Sequence, residues 1–484
     1  MLIRNLNEIL DSTRIAGSPE IPAIPISRID YDSRKVTGGS LFVAISGYNS
    51  DGHRFLPEAE RRGAVAAIVQ HADARIGIPQ FVVQDTRLCM AYIAANFYRE
   101  SLSSMRLIGI TGTNGKTTTS FLIRSVLDAA GIASGLIGTI RYQIGDKEIR
   151  AWNTTPESSD ISNFLYQMQQ SGQDACVLEV SSHGLMLNRV AGLKFEVAVF
   201  TNLTQDHLDF HNDMENYFDA KARLFSHLQP AGSAVINSAD PYGRRLIGNM
   251  EKNLIDFACG DIEASVSAAE WRSSINGLEF IARTPLGPVE IRSRLLGDFN
   301  VENILAAIAA GIALNSDLET IRHGIETVSR IPGRLETIEI PENRTAVVDY
   351  SHTPDALKKA LLVLKRLTKN NLWVIFGCGG DRDQAKRPIM GRIATELADR
   401  IIITSDNPRS EDPEAIIRDI SGGLTRDKRI QVEPDRRQAI HYGLEHATKG
   451  DTILIAGKGH EDYQEINGIR HPFDDRKIVE GFFQ

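Results

Sequence analysis

The segment Gly112-Thr113-Asn114-Gly115-Lys116-Thr117 follows the apolar run Leu107-Ile108-Gly109-Ile110 and leads into Thr118-Thr119-Ser120-Phe121-Leu122. That succession predicts a strand, a glycine turn and the start of a helix, the arrangement that cradles a nucleoside triphosphate. Glycines let the backbone approach the phosphates. Successive N–H groups and the helix N-terminus face the anion, while Lys116 and Thr117 reach the terminal phosphates and Mg²⁺. Only two residues separate the glycines, fewer than in the commoner motif, so the flanking strand and helix carry most of the signal. The bland alternative is an ordinary glycine turn. A chain organised around this loop runs on ATP or GTP.

At 484 residues, 42% hydrophobic and 24% charged, the chain is too long for one typical domain and apolar enough to bury several cores. It has no run of 18 apolar residues, and Met1-Leu2-Ile3-Arg4-Asn5-Leu6-Asn7-Glu8 lacks the apolar segment of a signal peptide. The expectation is a soluble, cytoplasmic protein without membrane insertion. Cys89, Cys176, Cys259 and Cys378 are too widely spaced for a zinc framework or a disulfide scaffold, and read as reduced thiols. A net charge of -8 argues against a general nucleic-acid partner.

Residues 1–100 carry short apolar runs, including Ser40 to Ile45 and Ala64 to Val69, and read as a small α/β domain. Residues 101–331 form a second domain opened by the phosphate loop, with buried strands at Ala175 to Val180 and Val197 to Thr201 and a helix at Val301 to Leu314. Residues 332–484 alternate strand and helix, with strands at Thr345 to Tyr350, Leu372 to Gly377, Arg400 to Ser405 and Asp451 to Gly457. Such alternation implies a parallel sheet with helices on both faces. Each of these strands is followed by a polar loop: Ser351-His352-Thr353-Pro354, Gly379-Gly380-Asp381-Arg382, Asp406-Asn407-Pro408-Arg409 and Lys458-Gly459-His460-Glu461. Open α/β sheets bind ligands beyond the carboxyl ends of their strands, so the four loops are expected to share one crevice.

Glu179 ends an apolar run, a common position for a carboxylate that holds the Mg²⁺ of ATP, although a solvated strand end would look the same. Thr201 to His211, which contains His207, is dense in polar groups after another strand. Asn216 to Leu228 reads as a helix whose apolar stripe comprises Tyr217, Leu224, Phe225 and Leu228, and Lys221 falls on that stripe. Snorkelling or an ion pair is the ordinary explanation for such a lysine. A desolvated, neutral amine also reacts with CO₂ to give a carbamate, a new anionic oxygen ligand.

Taken together, Gly112 to Thr119, Asn153-Thr154-Thr155-Pro156, Glu179 to Leu185, Thr201 to His211, Asp219-Ala220-Lys221, Gly297 to Asn303, Asp349 to Leu357 and the C-terminal loops resemble the Mur ligase family along essentially the whole chain. Asp32-Ser33-Arg34, Leu41-Phe42-Val43-Ala44 and Asp51-Gly52-His53 are similar to the UDP-binding domain of its MurE type. The resemblance implies an α/β protein of three domains. These are a small N-terminal UDP-binding domain, a central P-loop-type ATPase domain with a mostly parallel sheet, and a C-terminal Rossmann-like domain. It also implies a monomer that forms an amide bond on UDP-N-acetylmuramoyl-L-alanyl-D-glutamate through an acyl phosphate, with ATP as co-substrate. By the same resemblance Gly112, Thr113, Asn114, Gly115, Lys116, Thr117 and Thr118 hold the phosphates. Thr117 and Glu179 hold one Mg²⁺; His207 and Lys221, carried as N6-carboxylysine, hold a second.

Asn300, Asn303, Arg334, Asp349 and His352 are expected near the adenine, ribose or phosphates as the C-terminal domain closes. Ser33, Asn153, Thr154, Thr155, Ser181 and Arg189 are assigned to the UDP-sugar peptide. Leu187 stands where some relatives carry a glutamine. For the amino acid the resemblance points to Arg382, Asp406, Asn407, Pro408, Arg409, Gly457 and Glu461, the Asp406 to Arg409 segment resembling a meso-diaminopimelate signature. That substrate pairs a distal carboxylate with an ammonium: Arg409 suits the first and Glu461 the second. The competing readings are a lysine-adding or folylpolyglutamate-type ligase, and a nucleotide switch that forms no bond.

Overall fold

Four strands near the N-terminus, Arg28–Asp30, Ser40–Val43, Ala64–Val69 and Gln80–Val82, pair in that order, all parallel. The computed structural model in which they are seen describes residues 2–10, 22–47, 50–250, 253–424 and 430–483. Leu41, Val43 and Ile68 on one face of this sheet pack against Met90, Ile93 and Phe97 of the helix Thr86–Phe97.

The central sheet runs Lys147–Arg150, Arg141–Ile144, Ser134–Ile137, Ala175–Glu179, Arg106–Thr111, Phe195–Phe200, Leu228–Asn237, Leu254–Cys259 and Val266–Ala268. From Ser134–Ile137 to Leu254–Cys259 neighbouring strands are parallel, while the two outermost at the other end form an antiparallel hairpin. The strand before the phosphate loop lies mid-sheet, buried on both faces, which is why it reads as an uninterrupted apolar run.

Close packing divides the chain into two units. The first comprises residues 1–258, 262–267 and 305–324; the second comprises 259–261, 268–304 and 325–484. The second unit contains a six-stranded sheet in the order Glu336–Ile340, Arg344–Asp349, Thr452–Ala456, Leu372–Phe376, Arg400–Ile403 and Ile430–Val432. All neighbours except the first pair are parallel. The four strands expected there are present with ends within two residues of the expectation. Because they are parallel, with Asp349 opposite Ala456 and Phe376 opposite Ile403, their carboxyl ends lie along one sheet edge.

Two expectations need correction. The helix expected over Asn216 to Leu228 is Met214–Ala222, continued by a tighter turn over Arg223–His227, and Leu228 begins a strand. A three-stranded antiparallel sheet, Trp271–Ser274, Gly277–Ala282 and Val289–Ser293, was not anticipated. The fold class is as expected: α/β, with mostly parallel sheets in a three-domain layout. All four cysteines are unpaired. Among the described residues no helix is long and apolar enough to cross a membrane.

Candidate functional site

The phosphate loop connects Arg106–Thr111 to the helix Lys116–Ala129, whose N-terminal dipole favours an anion. Gly112 has φ +147°, and a Cβ there would lie 1.9 Å from Thr201 Oγ1. The loop is clamped from the neighbouring strand: Thr113 N–H donates to Asn202 O (2.9 Å), Asn114 N–H to Asn202 Oδ1 (3.0 Å), and Thr201 Oγ1 to Asn114 O (2.6 Å). Lys116 Nζ curls back over the loop to Gly112 O and Thr113 O, both at 2.9 Å. Thr118 is buried in the first helical turn.

Glu179 is fully buried at the end of the adjacent strand. Its carboxylate accepts from Thr117 Oγ1 (3.0 Å), Thr139 N–H (3.1 Å) and Thr139 Oγ1 (2.9 Å). Thr139 was not singled out from the sequence, because its partner lies 40 residues on. The cluster of hydroxyl and carboxylate oxygens suits a hard divalent cation.

Lys221 projects from Met214–Ala222 into the same region, only 1% exposed. Its Nζ donates to Gly112 O (2.8 Å) and lies 4.5 Å from the centre of the Tyr217 ring. Burial first, and the Lys116 charge second, hold this amine well below the ordinary lysine range. His207 has φ +52° and an exposed side chain. Its ring lies 6.3 Å from Tyr217 and 5.0 Å from His183, so it flanks the ring that Lys221 touches. Among the described residues no group of three or more His, Cys, Asp or Glu is placed to hold a metal ion.

Of the residues assigned to the UDP-sugar peptide, Thr154, Thr155 and Ser181 adjoin this cluster. Thr154 Oγ1 is 3.1 Å from Thr139 Oγ1. Thr155 Oγ1 donates to Glu179 O (2.9 Å), and Ser181 N–H donates to Thr155 Oγ1 (2.9 Å). Arg189 donates to Thr155 O (2.8 Å) and pairs with Glu157 (2.9 Å). Asn153 is exposed, its carbonyl accepting from Tyr142 Oη at 2.6 Å. Ser33 is buried and its hydroxyl donates to Glu58 (2.8 Å).

In the second unit the polar loops do gather at one sheet edge. Asn407 is 3% exposed. Its Nδ2 donates to Glu461 Oε2 (2.8 Å), and its Oδ1 accepts from Lys458 Nζ (3.0 Å) and Glu465 N–H (2.9 Å). Arg409, at φ +53°, is tied to the hairpin Tyr463–Ile466 and Ile469–Pro472. Its N–H donates to Glu465 O (3.0 Å), its carbonyl accepts from Asn467 N–H (2.7 Å), and its guanidinium reaches Gly380 O (2.7 Å). Pro408 O faces Gly380, where a Cβ would approach to 1.9 Å. Gly457 passes so close to Asp406 that a Cβ would meet Oδ2 at 2.4 Å. Arg382 is exposed on the neighbouring loop. Burial pushes the Glu461 carboxyl upward, opposed chiefly by Lys458.

Asp349 is buried and accepts from Leu335 N–H (2.7 Å), Ser351 N–H (2.9 Å) and Ser351 Oγ. Arg334 lies over the Tyr350 ring, which His352 also contacts. Asn300 and Asn303 are joined by an amide hydrogen bond of 2.8 Å. Lys458 appeared in the sequence only as part of a polar loop; its burial, not its neighbours in the chain, marks it.

Family models match three segments: "Mur ligase family, catalytic domain" over 25–98, "Mur ligase middle domain" over 110–311, and "Mur ligase, glutamate ligase domain" over 333–459. Proteins named UDP-N-acetylmuramoyl-L-alanyl-D-glutamate--2,6-diaminopimelate ligase are similar along their full length. That of Geobacter metallireducens is 42% identical, covering 100% of this chain and 98% of its own. That of Clostridium perfringens is 41% identical over 99% of both. A solved structure bearing the same name superposes with a TM-score of 0.73 at 36% identity, over 99% of this chain and 98% of that one. The MurF ligase of Thermotoga maritima, solved with ADP, shares the fold at a TM-score of 0.66 and 19% identity, over 94% and 96% of the two chains.

Proposed function

The chain belongs to the Mur ligase family, and from that membership we propose that Lys116, Glu179, His207 and Lys221 serve the activation of a carboxylate by ATP while the crevice around Asn407 selects the amine. The enzyme is an ATP-dependent ligase of peptidoglycan precursor synthesis. It joins meso-2,6-diaminopimelate to the D-glutamate of UDP-N-acetylmuramoyl-L-alanyl-D-glutamate. The observation that carries the substrate assignment is the tethering of Asn407, Arg409 and Glu461 at one sheet edge. This places a guanidinium and a carboxylate on a shared frame, as a ligand with a distal carboxylate and ammonium requires.

The γ-carboxylate of the D-glutamyl residue attacks the γ-phosphorus of ATP, ADP leaves, and an acyl phosphate results. The amine of diaminopimelate then attacks the acyl carbon, phosphate departs with the bonding electrons, and the nitrogen loses its extra proton. Positioning and charge neutralisation dominate such a transfer. Lys116 swings from the carbonyls of its own loop to the transferred phosphoryl group, and the Gly112–Thr118 backbone holds the remaining phosphates. Thr117 and Glu179 supply oxygen ligands for one Mg²⁺; His207 and Lys221, once carbamoylated, serve a second. Held by these residues, the cations would supply positive charge against the phosphates. The fit for Lys221 rests on its burial and lowered basicity: a neutral amine forms an N–C bond to CO₂, releasing one proton and leaving an anionic carbamate.

Asn153, Thr154, Thr155, Ser181, Arg189 and Ser33 line the path of the UDP-sugar peptide. Asn300, Asn303, Arg334, Asp349 and His352 serve the nucleotide, and Arg382, Asp406, Pro408 and Gly457 complete the amino-acid crevice. Domain boundaries fall near residues 100 and 331. Use of ATP and a UDP-linked precursor supports a cytoplasmic reading, and we take the enzyme to be a monomer supporting cell shape and division.

The test is phosphate release with ATP, Mg²⁺ and UDP-N-acetylmuramoyl-L-alanyl-D-glutamate, comparing meso-diaminopimelate with L-lysine and weighing the product. Release with meso-diaminopimelate alone, with the matching mass gain, is expected. Preference for lysine would overturn the role of Arg409, and release independent of both would support a nucleotide switch.

A further inference from the structure

We propose that Lys458 is the positioning residue of the amino-acid crevice, orienting the Asn407 amide and supplying the cation that keeps Glu461 ready for an ammonium group. The inference rests on the reading of that crevice given above.

Lys458 follows Gly457 at the end of the strand Thr452–Ala456 and is 0% exposed, among the largest fully buried side chains of the protein. A lysine buried so completely either sheds its proton or has its charge met by partners, and here two carboxylates stand beside it. Its Nζ lies 3.0 Å from Asn407 Oδ1, 3.5 Å from Glu461 Oε2 and 3.8 Å from Asp406 Oδ1, with the Tyr463 ring centre at 5.4 Å. A solvated lysine would meet one of these groups; this one meets three residues of the crevice at once.

The geometry fixes the sense of the Asn407 amide. Lys458 Nζ and the Glu465 N–H are both donors aimed at one atom of that side chain, so the atom is the oxygen, and the opposite Nδ2 is the donor to Glu461 Oε2. Glu465 also accepts the Arg409 N–H through its carbonyl. The lysine thus steadies, through one amide and one strand residue, both side chains assigned to the ends of the diamino acid.

Charge supplies the second half of the argument. Glu461 faces Lys458 on its own loop and Asp406 from the loop after Arg400–Ile403. Tyr350, from the loop after Arg344–Asp349, and Arg436, already paired with Asp475, also act on it. Without Lys458 two carboxylates would share a largely buried site with no cation held between them, and the Glu461 carboxyl would be pushed further upward, toward its protonated form. A protonated Glu461 no longer attracts an ammonium group.

The test is steady-state kinetics of Lys458→Met and Lys458→Gln, varying meso-diaminopimelate, ATP and the UDP-sugar dipeptide in turn, across pH. For Lys458→Met, KM for meso-diaminopimelate should rise about 100-fold, the scale of losing one partner of a buried charge pair. kcat and the other two KM values should stay within about threefold, less than half a decade. The penalty should shrink as pH is raised and Glu461 ionises. Lys458→Gln retains a donor for Asn407 Oδ1 and should show a smaller rise with the same pH dependence. It also decides the matter if the methionine variant fails to fold. An unchanged KM for meso-diaminopimelate, or equal losses for all three substrates without pH dependence, overturns the proposal while leaving the reaction intact. A wild-type enzyme silent with meso-diaminopimelate overturns the reading beneath it as well.

Discussion

Two lysine amines donate to the single carbonyl oxygen of Gly112, Lys116 at 2.9 Å and Lys221 at 2.8 Å. Two ammonium groups cannot share that site cheaply, and burial decides that Lys221 yields its proton first. The sign of the linkage follows. Lys221 binds fewer protons folded than unfolded, so its contribution to stability is complete above the unfolded lysine value of about 10.4 and is lost as pH falls through the depressed folded value. Lys221→Met should therefore flatten the rise of stability with pH in that window, read from urea midpoints; an unaltered slope would mean that the amine is charged in the fold. A neutral Lys221 should also bind labelled CO₂ reversibly. Bicarbonate-free enzyme is expected to lose turnover and regain it when bicarbonate returns, with a carbamate carbon resonance absent from Lys221→Met. At the other site, Arg409 presents a planar fork that lysine does not. Arg409→Ala should remove most discrimination for meso-diaminopimelate over L-lysine, and unchanged kinetics with the diamino acid would refute its role.

The phosphate loop is an element that tolerates no added atom at its first glycine. Gly112→Ala sets a Cβ 1.9 Å from Thr201 Oγ1 in a backbone region that L-residues rarely adopt. The loop must shift, and with it the carbonyl that orients both lysines. Turnover should fall by at least about 100-fold, a typical cost of misplacing a reacting group by about 1 Å. Gly131→Ala, at φ +73° with nothing within 4 Å of the new Cβ, should cost about 1 kcal/mol of strain and leave kcat unchanged. This loop was legible in the sequence because strand, turn and helix are contiguous. The C-terminal strands were legible because buried parallel strands are unbroken apolar runs. The helix after Asp213 was read too long because Leu224 and Phe225, in the tighter turn Arg223–His227, prolong its apolar stripe. The sheet Trp271–Ser293 was missed although Leu278, Phe280 and Ala282 alternate inward against Glu279 and Ile281. Thr139 and Lys458 were beyond reach from the sequence, their roles arising only when distant segments meet Glu179 and Asn407.

At the scale of the first unit, the N-terminal strands and the central sheet are joined by charges as well as by apolar packing. Arg87, on the helix Thr86–Phe97, and Arg189, beyond the strand Ala175–Glu179, converge on the same carboxylate oxygen of Glu157, at 2.5 and 2.9 Å. Nearby, Tyr31 Oη donates to Asp160 (2.6 Å) and Asn188 to Asp85 (3.1 Å). Glu157 is thus the hinge pin of a contact that also orients Arg189, the residue assigned to the UDP-sugar peptide. Its replacement by glutamine keeps the shape and removes the charge, leaving two largely buried guanidinium groups facing an amide. Breaking such a pair is strongly destabilising, and with all three side chains retaining slight exposure the loss should be about 2–4 kcal/mol in chemical unfolding. The functional signature should be selective. KM for the UDP-sugar dipeptide should rise about tenfold, as Arg189 loses about 1.4 kcal/mol of orientation, while KM for ATP stays put because the charge of Glu157 is spent on Arg87 and Arg189. A stability loss without that KM change would show that Thr155 O alone holds Arg189 in place. The converse, a KM change without a stability loss, would make Glu157 a device for binding and not for assembly.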